Sequence, residues 1–461
     1  MNVENRGLKN KKIKVEKLFL IFAIIFGVTM TVAQPVFSVP DENTHFINAY
    51  SVFHNDSKDE SFGRYWKYSQ DVTTATRNNT YIQKFFVEQG DFRENKLALH
   101  FNLTKIQYLP QAIGILLGEL IYPSKGVLVT AGRLFNLFLY IFMIYFSIKR
   151  AKAIKWGMLL VALFPISVQQ AASLSYDVLF FGAIFVTMSV LTNLWTRKEK
   201  LDIKWWIYIF LNIFLLYISK NSVYLLGLFF VTLPPFLLGK NKLSDALERF
   251  WMLCKKFWYV VLLLVVIAII FYLRYAFRNY DGLLNGMQIL VNTFLRPDFN
   301  PTLDTIMTIG IIGDFGQLNH WLPAWWVIIN FIVLILVGIN DGKKIDYNVR
   351  TVFSSGLIYF LNILMVAVLM YTSWTIGKLS LTNIVYSSGS QGRYYTPFLI
   401  VLAPVCAYIG RFIKVSMSER IEKNVVVGLV SINLISFLLL TLAFYYNVDG
   451  GQHILFDLLG R

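Results

Sequence analysis

Two adjacent carboxylates and a histidine, Asp41, Glu42 and His45 in VFSVPDENTHF (Val36 to Phe46), stand directly after a long apolar run. An ionisable group in such a place must be solvated, paired or lining a cavity. Partial burial tunes a carboxylate for proton abstraction, which makes Asp41 and Glu42 candidate catalytic bases. The competing role is structural: Pro40 suits the first turn of a helix, and acids there complement the helix dipole. His45 lies three residues beyond Glu42 and four beyond Asp41, so on a helix all three share a face. Two carboxylates and an imidazole are ligands a divalent cation accepts, although no second cluster completes the set.

Five further stretches carry groups that could bind a substrate. Asp177 in ASLSYDVLFF stands where one apolar run ends and the next begins, a place that also suits a helix N-cap. Lys220 in LLYISKNSVYLLG interrupts a nearly continuous apolar run, and a lysine at membrane depth calls for an anionic partner unless it snorkels to the interface. Arg393 follows a glycine that permits close backbone approach and precedes Tyr394 and Tyr395; a guanidinium there suits a phosphate, or anchors an aromatic belt. Arg133 in TAGRLFNL enters an apolar run, and GDFGQLNHWLPAW supplies Asp314, His320 and Trp321. No P-loop, dinucleotide fingerprint, GxSxG or HExxH occurs in a supporting context, which argues against chemistry driven by cytosolic nucleotide.

The elements that must hold these groups are membrane helices. The chain has 461 residues, 56% hydrophobic and 16% aromatic, with only 15% charged, against roughly 25% in soluble domains. Its net charge of +16 sits in short clusters between apolar runs rather than along one face, which speaks for topology and against nucleic acid. Cys254 and Cys406 show neither metal-ligand spacing nor a disulfide pattern. Twelve apolar segments can be read, at about 18–36, 106–122, 127–148, 156–175, 178–195, 204–219, 221–239, 258–274, 323–339, 351–371, 395–411 and 424–446. If all twelve crossed, KRAKAIK and RKEK would fall outside, against the cytoplasmic bias of Lys and Arg. YLPQAIGILLGELIY is short, opens near a proline and holds Glu119, so it is assigned as an interface-lying or re-entrant helix. Eleven crossings then place six basic segments on the cytoplasmic side. The expectation is an all-α polytopic membrane protein: a cytoplasmic segment 1–17, then one transmembrane domain 18–461 with outer loops at about 38–126, 274–322 and 372–394. No repeat of 20–50 residues is visible.

Taken in order, PDENTHF, YLPQAIGILLG, AGRLFNL, FPISVQQAASLSYD, the mid-chain lysine and QGRYYTPFL resemble a bacterial family of multi-span proteins grouped with the C-type (GT-C) glycosyltransferases. The resemblance runs over almost the whole chain and implies a GT-C-like fold in the bacterial plasma membrane, with the N-terminus cytoplasmic and the active site on the outer face. It implies transfer of a sugar from a polyprenyl-phosphate donor to a cell-envelope glycan or protein acceptor. Asp41 matches the position of the family's catalytic acid residue and would act as general base in an inverting displacement. Arg393 and Lys220 would neutralise the departing phosphate, while Glu42, His45 and Asp177 would orient the sugar or the base. Some members carry His-Pro-Pro in the first loop; here the sequence offers Tyr108-Leu109-Pro110, which leaves the donor's identity open. Two rival classes stand beside this reading: a flippase or transporter of lipid-linked glycans, and a non-catalytic subunit of envelope assembly.

Overall fold

In a bilayer, an apolar stretch satisfies its backbone within itself only as a helix, and helices dominate the chain. The computed structural model describes residues 14–54, 83–90, 99, 103–295, 305–376, 384–413 and 415–446. Most of segment 1–17 and parts of the loops expected at 38–126, 274–322 and 372–394 lie outside the described residues. In chain order the α-helices of seven residues or more are α1 (Val15–Ala33), α2 (Glu42–Tyr50), α3 (Leu109–Ile121), α4 (Lys125–Arg150), α5 (Lys155–Ala162), α6 (Pro165–Ala171), α7 (Asp177–Thr196), α8 (Ile203–Tyr217), α9 (Lys242–Lys256), α10 (Trp258–Ala276), α11 (Gly282–Leu295), α12 (Ala324–Gly342), α13 (Val349–Met370), α14 (Ala403–Ile409) and α15 (Glu419–Tyr446). A small antiparallel hairpin, β1 (Asp314–Phe315) and β2 (His320–Trp321), precedes α12.

Among the described residues, seven helical runs are long and apolar enough to cross a membrane: α1, α4, α7, α10, α12, Val349–Thr375 and α15. The chain is therefore an all-α polytopic membrane protein. Four expected crossings take a different form. Segment 156–175 breaks at Leu163 and Phe164 into α5 and α6, with Pro165 opening α6. Segment 204–219 is α8, of 15 residues. Segment 221–239 becomes a 3-10 turn, Asn221–Leu226, and the short helix Gly227–Val231 ahead of Pro234 and Pro235. Segment 395–411 is the 3-10 run Thr396–Leu402 joined to α14, with Pro397 and Pro404 at their starts. Proline removes a backbone donor and crowds the preceding turn, so hydropathy overstates the continuity of three of these segments.

Helix α3 has 13 residues, about 20 Å at roughly 1.5 Å each and short of the roughly 30 Å apolar core. Its Glu119 carboxylate lies 3.1 Å from His54 Nε2 beyond the end of α2. Helices α3 and α4 pack backbone to backbone, because Gly114 and Gly118 present no side chain; a Cβ at Gly114 would stand 2.4 Å from the Ala131 carbonyl oxygen. Helix α7 is the most enclosed of the long helices, with 78% of its apolar stretch buried, whereas α10 has 6%. Helices α12 and α15 are joined by a reciprocal amide pair, Asn330 and Asn433, reinforced by Trp326 Nε1 donating to Asn433 Oδ1 at 2.7 Å.

The helix ends gather their charged groups at two poles. Glu16, Lys152, Lys155, Asp341, Lys344 and Glu422 gather within electrostatic reach of one another at the start of α1, the α4–α5 turn, the end of α12 and the start of α15. At the opposite pole meet the α1–α2 turn, the start of α7, Lys220 and Arg393.

Candidate functional site

The α1–α2 turn is built around one buried guanidinium. Arg133, one helical step after Gly132 in α4, donates Nε to Glu42 Oε1 at 2.7 Å and Nη2 to Glu42 Oε2 at 2.6 Å. Its remaining N–H groups meet the carbonyls of Thr31, Gln34 and Pro35 at 3.1, 2.6 and 2.8 Å. Glu42 Oε1 also accepts from the Leu174 backbone N–H at 3.2 Å. Both side chains are buried, at 1% and 0% exposure, and together they tie α1, α2, α4 and the α6–α7 turn into one frame.

That frame presents Asp41. The residue sits in the left-handed region (φ 62°, ψ 6°) and makes no side-chain capping bond to α2. Holding a non-glycine residue there costs on the order of 1 kcal/mol, which marks a position fixed by its surroundings. The Asp41 carboxylate instead accepts from Arg393 Nη2 at 2.8 Å and is 43% exposed. Arg393 Nη1 donates to Gln170 Oε1 at 3.1 Å and to the Pro40 carbonyl at 3.3 Å, while Nε stands 3.4 Å from Asp177 Oδ2. Asp177 Oδ1 pairs in turn with Lys220 Nζ. The Lys220 ammonium lies over the rings of Tyr176 and Tyr394, each at 4.7 Å, and of Phe180 at 5.2 Å. Two carboxylates thus face two cations, and aromatic faces supply the rest of the lysine's environment.

Arg393 reaches this place because Gly392 lets the chain press against Gly310. A Cβ at Gly392 would fall 1.9 Å from the Gly310 carbonyl carbon. Thr396 fixes the same contact by donating its hydroxyl to the Ile311 carbonyl at 2.7 Å.

His45 lines the cluster from α2. Its Nδ1 is 3.0 Å from the Tyr108 hydroxyl, and Tyr176 meets its ring edge-on with centroids 5.1 Å apart. Burial, helped by the Arg393 charge, pulls the imidazole down from 6.5 to about 4 and outweighs Asp177 and Asp41. At neutral pH His45 is therefore an uncharged donor and acceptor. Burial also pushes the Tyr108 phenol above its ordinary range, so it stays protonated.

The structure brings together Asp41, His45, Asp177, Lys220, Arg393 and Tyr394 from the sequence-predicted set. Glu42 and Arg133 stand behind this cluster, engaged with each other and with backbone. The shared face proposed for Asp41, Glu42 and His45 does not form a ligand set: Glu42 turns to Arg133 and Asp41 to Arg393, and among the described residues no group of three His, Cys, Asp or Glu could hold a metal. Asp177 is not an N-cap; Tyr176 takes that position, and the Ser175 hydroxyl accepts from the Asp177 backbone N–H at 3.2 Å. Asp314 lies on β1, in a hairpin that touches the frame through Gln317 Nε2 donating to the Phe37 carbonyl at 2.9 Å. Burial raises its carboxyl to about 6, and its Oδ1 has no hydrogen-bond partner. His320 stacks on Phe444 and is 1% exposed, so it belongs to packing.

Sequence reasoning gave no role to Gln170, Tyr176 and Tyr108. The first two lie inside FPISVQQAASLSYD, a run whose density of polar residues between apolar neighbours was the available signal.

No curated protein and no solved structure matches this chain. A family model described as "Predicted membrane protein (DUF2142)" matches residues 24–402, a stretch that contains every residue of the cluster. With well over half of its length matched, the chain belongs to that family of predicted membrane proteins.

Proposed function

We propose that the protein is a membrane glycosyltransferase that moves a sugar from a polyprenyl-phosphate donor to a hydroxyl of a cell-envelope acceptor. The observation that carries this reading is the contrast within the cluster: Asp41 is 43% exposed, whereas Asp177 and Glu42 are at 2% and 0%. A solvent-reaching carboxylate beside buried cations and a neutral histidine suits a general base next to an anionic leaving group. In this scheme Asp41 takes the proton of the acceptor hydroxyl as that oxygen bonds to the anomeric carbon. The bond from that carbon to the phosphate oxygen breaks, and polyprenyl phosphate leaves with the electron pair. Lys220, 19% exposed, faces the new charge, and Arg393 holds Asp41 in line. A single displacement inverts the anomeric centre. Glu42 and Arg133 act through the frame as positioning residues, and a GT-C-like arrangement of eleven crossings belongs to this proposal. The pole with Lys152, Lys155 and Lys344 then faces the cytoplasm and the cluster the outside of a bacterial plasma membrane.

One observation favours transport instead. The segment 155–171, which carries Gln170, and 396–409, which follows Arg393, are both broken helices, and transporters build sites from such segments. Purified protein in lipid, given synthetic polyprenyl-phosphate sugars and envelope acceptors, separates the readings. Transfer by the native chain that disappears in Asp41→Asn, with folding and donor binding retained, supports the transferase. Transfer undiminished in Asp41→Asn overturns the base assignment, and movement of labelled donor across vesicles without transfer supports transport.

A further inference from the structure

Two cavities open along α12 and α14. The first, about 220 Å³, is lined mainly by apolar residues including Gly157, Leu334, Gly338, Leu399, Ala403 and Cys406. The second, about 170 Å³, is lined by Lys343, Asp346, Tyr347, Tyr408 and Arg411 among others. Their linings meet on α14 at the consecutive residues Cys406 and Ala407. We infer that the pair forms a seat for one anionic phospholipid, with an acyl chain in the apolar cavity and the phosphate against Arg411 and Lys343.

Charge supports this occupant. Two cations and one carboxylate leave the polar cavity net positive, and Asp341 at the edge of the apolar cavity is paired with Lys344. Arg411 reaches Asp346 at 2.5 Å, but the two are 47% and 94% exposed, and so open an ion pair yields readily to a phosphate that matches the guanidinium bidentately. Lys343 has a backbone carbonyl, that of Val415, as its hydrogen-bond partner rather than a carboxylate. Basic pockets between membrane helices recognise anionic headgroups on these terms. The apolar cavity supplies the other half of the ligand: a Cβ added at Gly157 would meet nothing within 4 Å, so the space beside α5 is open. Neither cavity includes a residue of the Asp41 cluster, so this seat stands apart from the proposed chemistry.

The test uses the full chain, stripped of lipid in a neutral detergent and titrated with phosphatidylglycerol, phosphatidylcholine or inorganic phosphate. Binding is read by thermal stabilisation and by lipid retained in native mass spectrometry. One phosphatidylglycerol is expected to be retained in preference to phosphatidylcholine. Its affinity should fall about tenfold both in the double variant Arg411→Gln, Lys343→Gln and in Gly157→Leu, which fills the apolar cavity; Gly157→Val replaces the latter should it not fold. Equal stabilisation by free phosphate would mean a soluble anion and overturn the proposal. So would equal binding of phosphatidylcholine, or native-like binding by the cavity-filling variant, which would reduce the effect to surface attraction.

Discussion

Glu42→Ala and Asp41→Ala, adjacent substitutions of one carboxylate each, should differ several-fold in their cost to stability. Removing Glu42 strips Arg133 of two charge-assisted bonds at 2.7 and 2.6 Å and takes the carboxylate away from a guanidinium at 1% exposure. Breaking a buried pair in this way costs about 3–5 kcal/mol. The loss of the Leu174 N–H bond lies in the same place and adds to the destabilisation. Asp41 is 43% exposed and its removal leaves Arg393 beside Asp177 at 3.4 Å, so it should cost less, about 1 kcal/mol. Unfolding in detergent micelles, followed by near-ultraviolet circular dichroism, measures both. The double variant Glu42→Ala, Arg133→Met closes the cycle and should recover much of the single variant's loss, because the buried cation is removed together with its carboxylate. A Glu42 variant as stable as the native chain, or a double variant no better than the sum of the singles, would refute the account of the frame.

Three other outcomes follow from the geometry. His45 has its folded-state pKa depressed from 6.5 to about 4, so the unfolded chain binds its proton first; stability should be whole above pH 6.5 and fall by roughly 3 kcal/mol as the pH drops toward 4. His45→Gln should flatten that slope in a pH series of unfolding measurements. Asp314 is shifted the other way, up to about 6, so its contribution is present below the ordinary carboxylate range and is lost as the pH rises through 6; Asp314→Asn should stabilise the protein at pH 8 and make little difference at pH 4. Gly392→Ala should both destabilise the fold and abolish activity, because the added carbon would fall 1.9 Å from the Gly310 backbone. Comparing it with Ala substitution at Gly428, where nothing lies within 4 Å, controls for the general cost of losing a glycine.

The membrane class of the chain was legible from composition, and the demand of Lys220 for an anion was legible from its apolar flanks. Which anion could not be read: Asp177 is 43 positions away in sequence and is brought there by α7 packing against the Asn221–Leu226 turn. Asp41 and Glu42 look alike in a sequence. The left-handed backbone at Asp41 separates them, turning one carboxylate toward Arg393 and the other toward Arg133. The broken segments were visible as Pro165, Pro234, Pro397 and Pro404, but a count of apolar residues passes over them, since neighbouring helices can re-satisfy an interrupted backbone. The frame around Arg133 carried almost no signal, because most of its acceptors are main-chain carbonyls and those have no letter of their own.

Arg393 joins residues that leave the ribosome at very different times. Asp41 and Asp177 enter the membrane early, and Lys220 can compensate Asp177 as soon as the Asn221–Leu226 turn has formed. Asp41 must wait some 350 residues for its cation. A nascent chain halted before residue 393 would therefore display the acid without its partner, and the competent arrangement cannot exist until the last third of the protein has docked. Quality control that recognises an unpaired carboxylate at the membrane surface would thus read, in one residue, whether the whole molecule has been assembled.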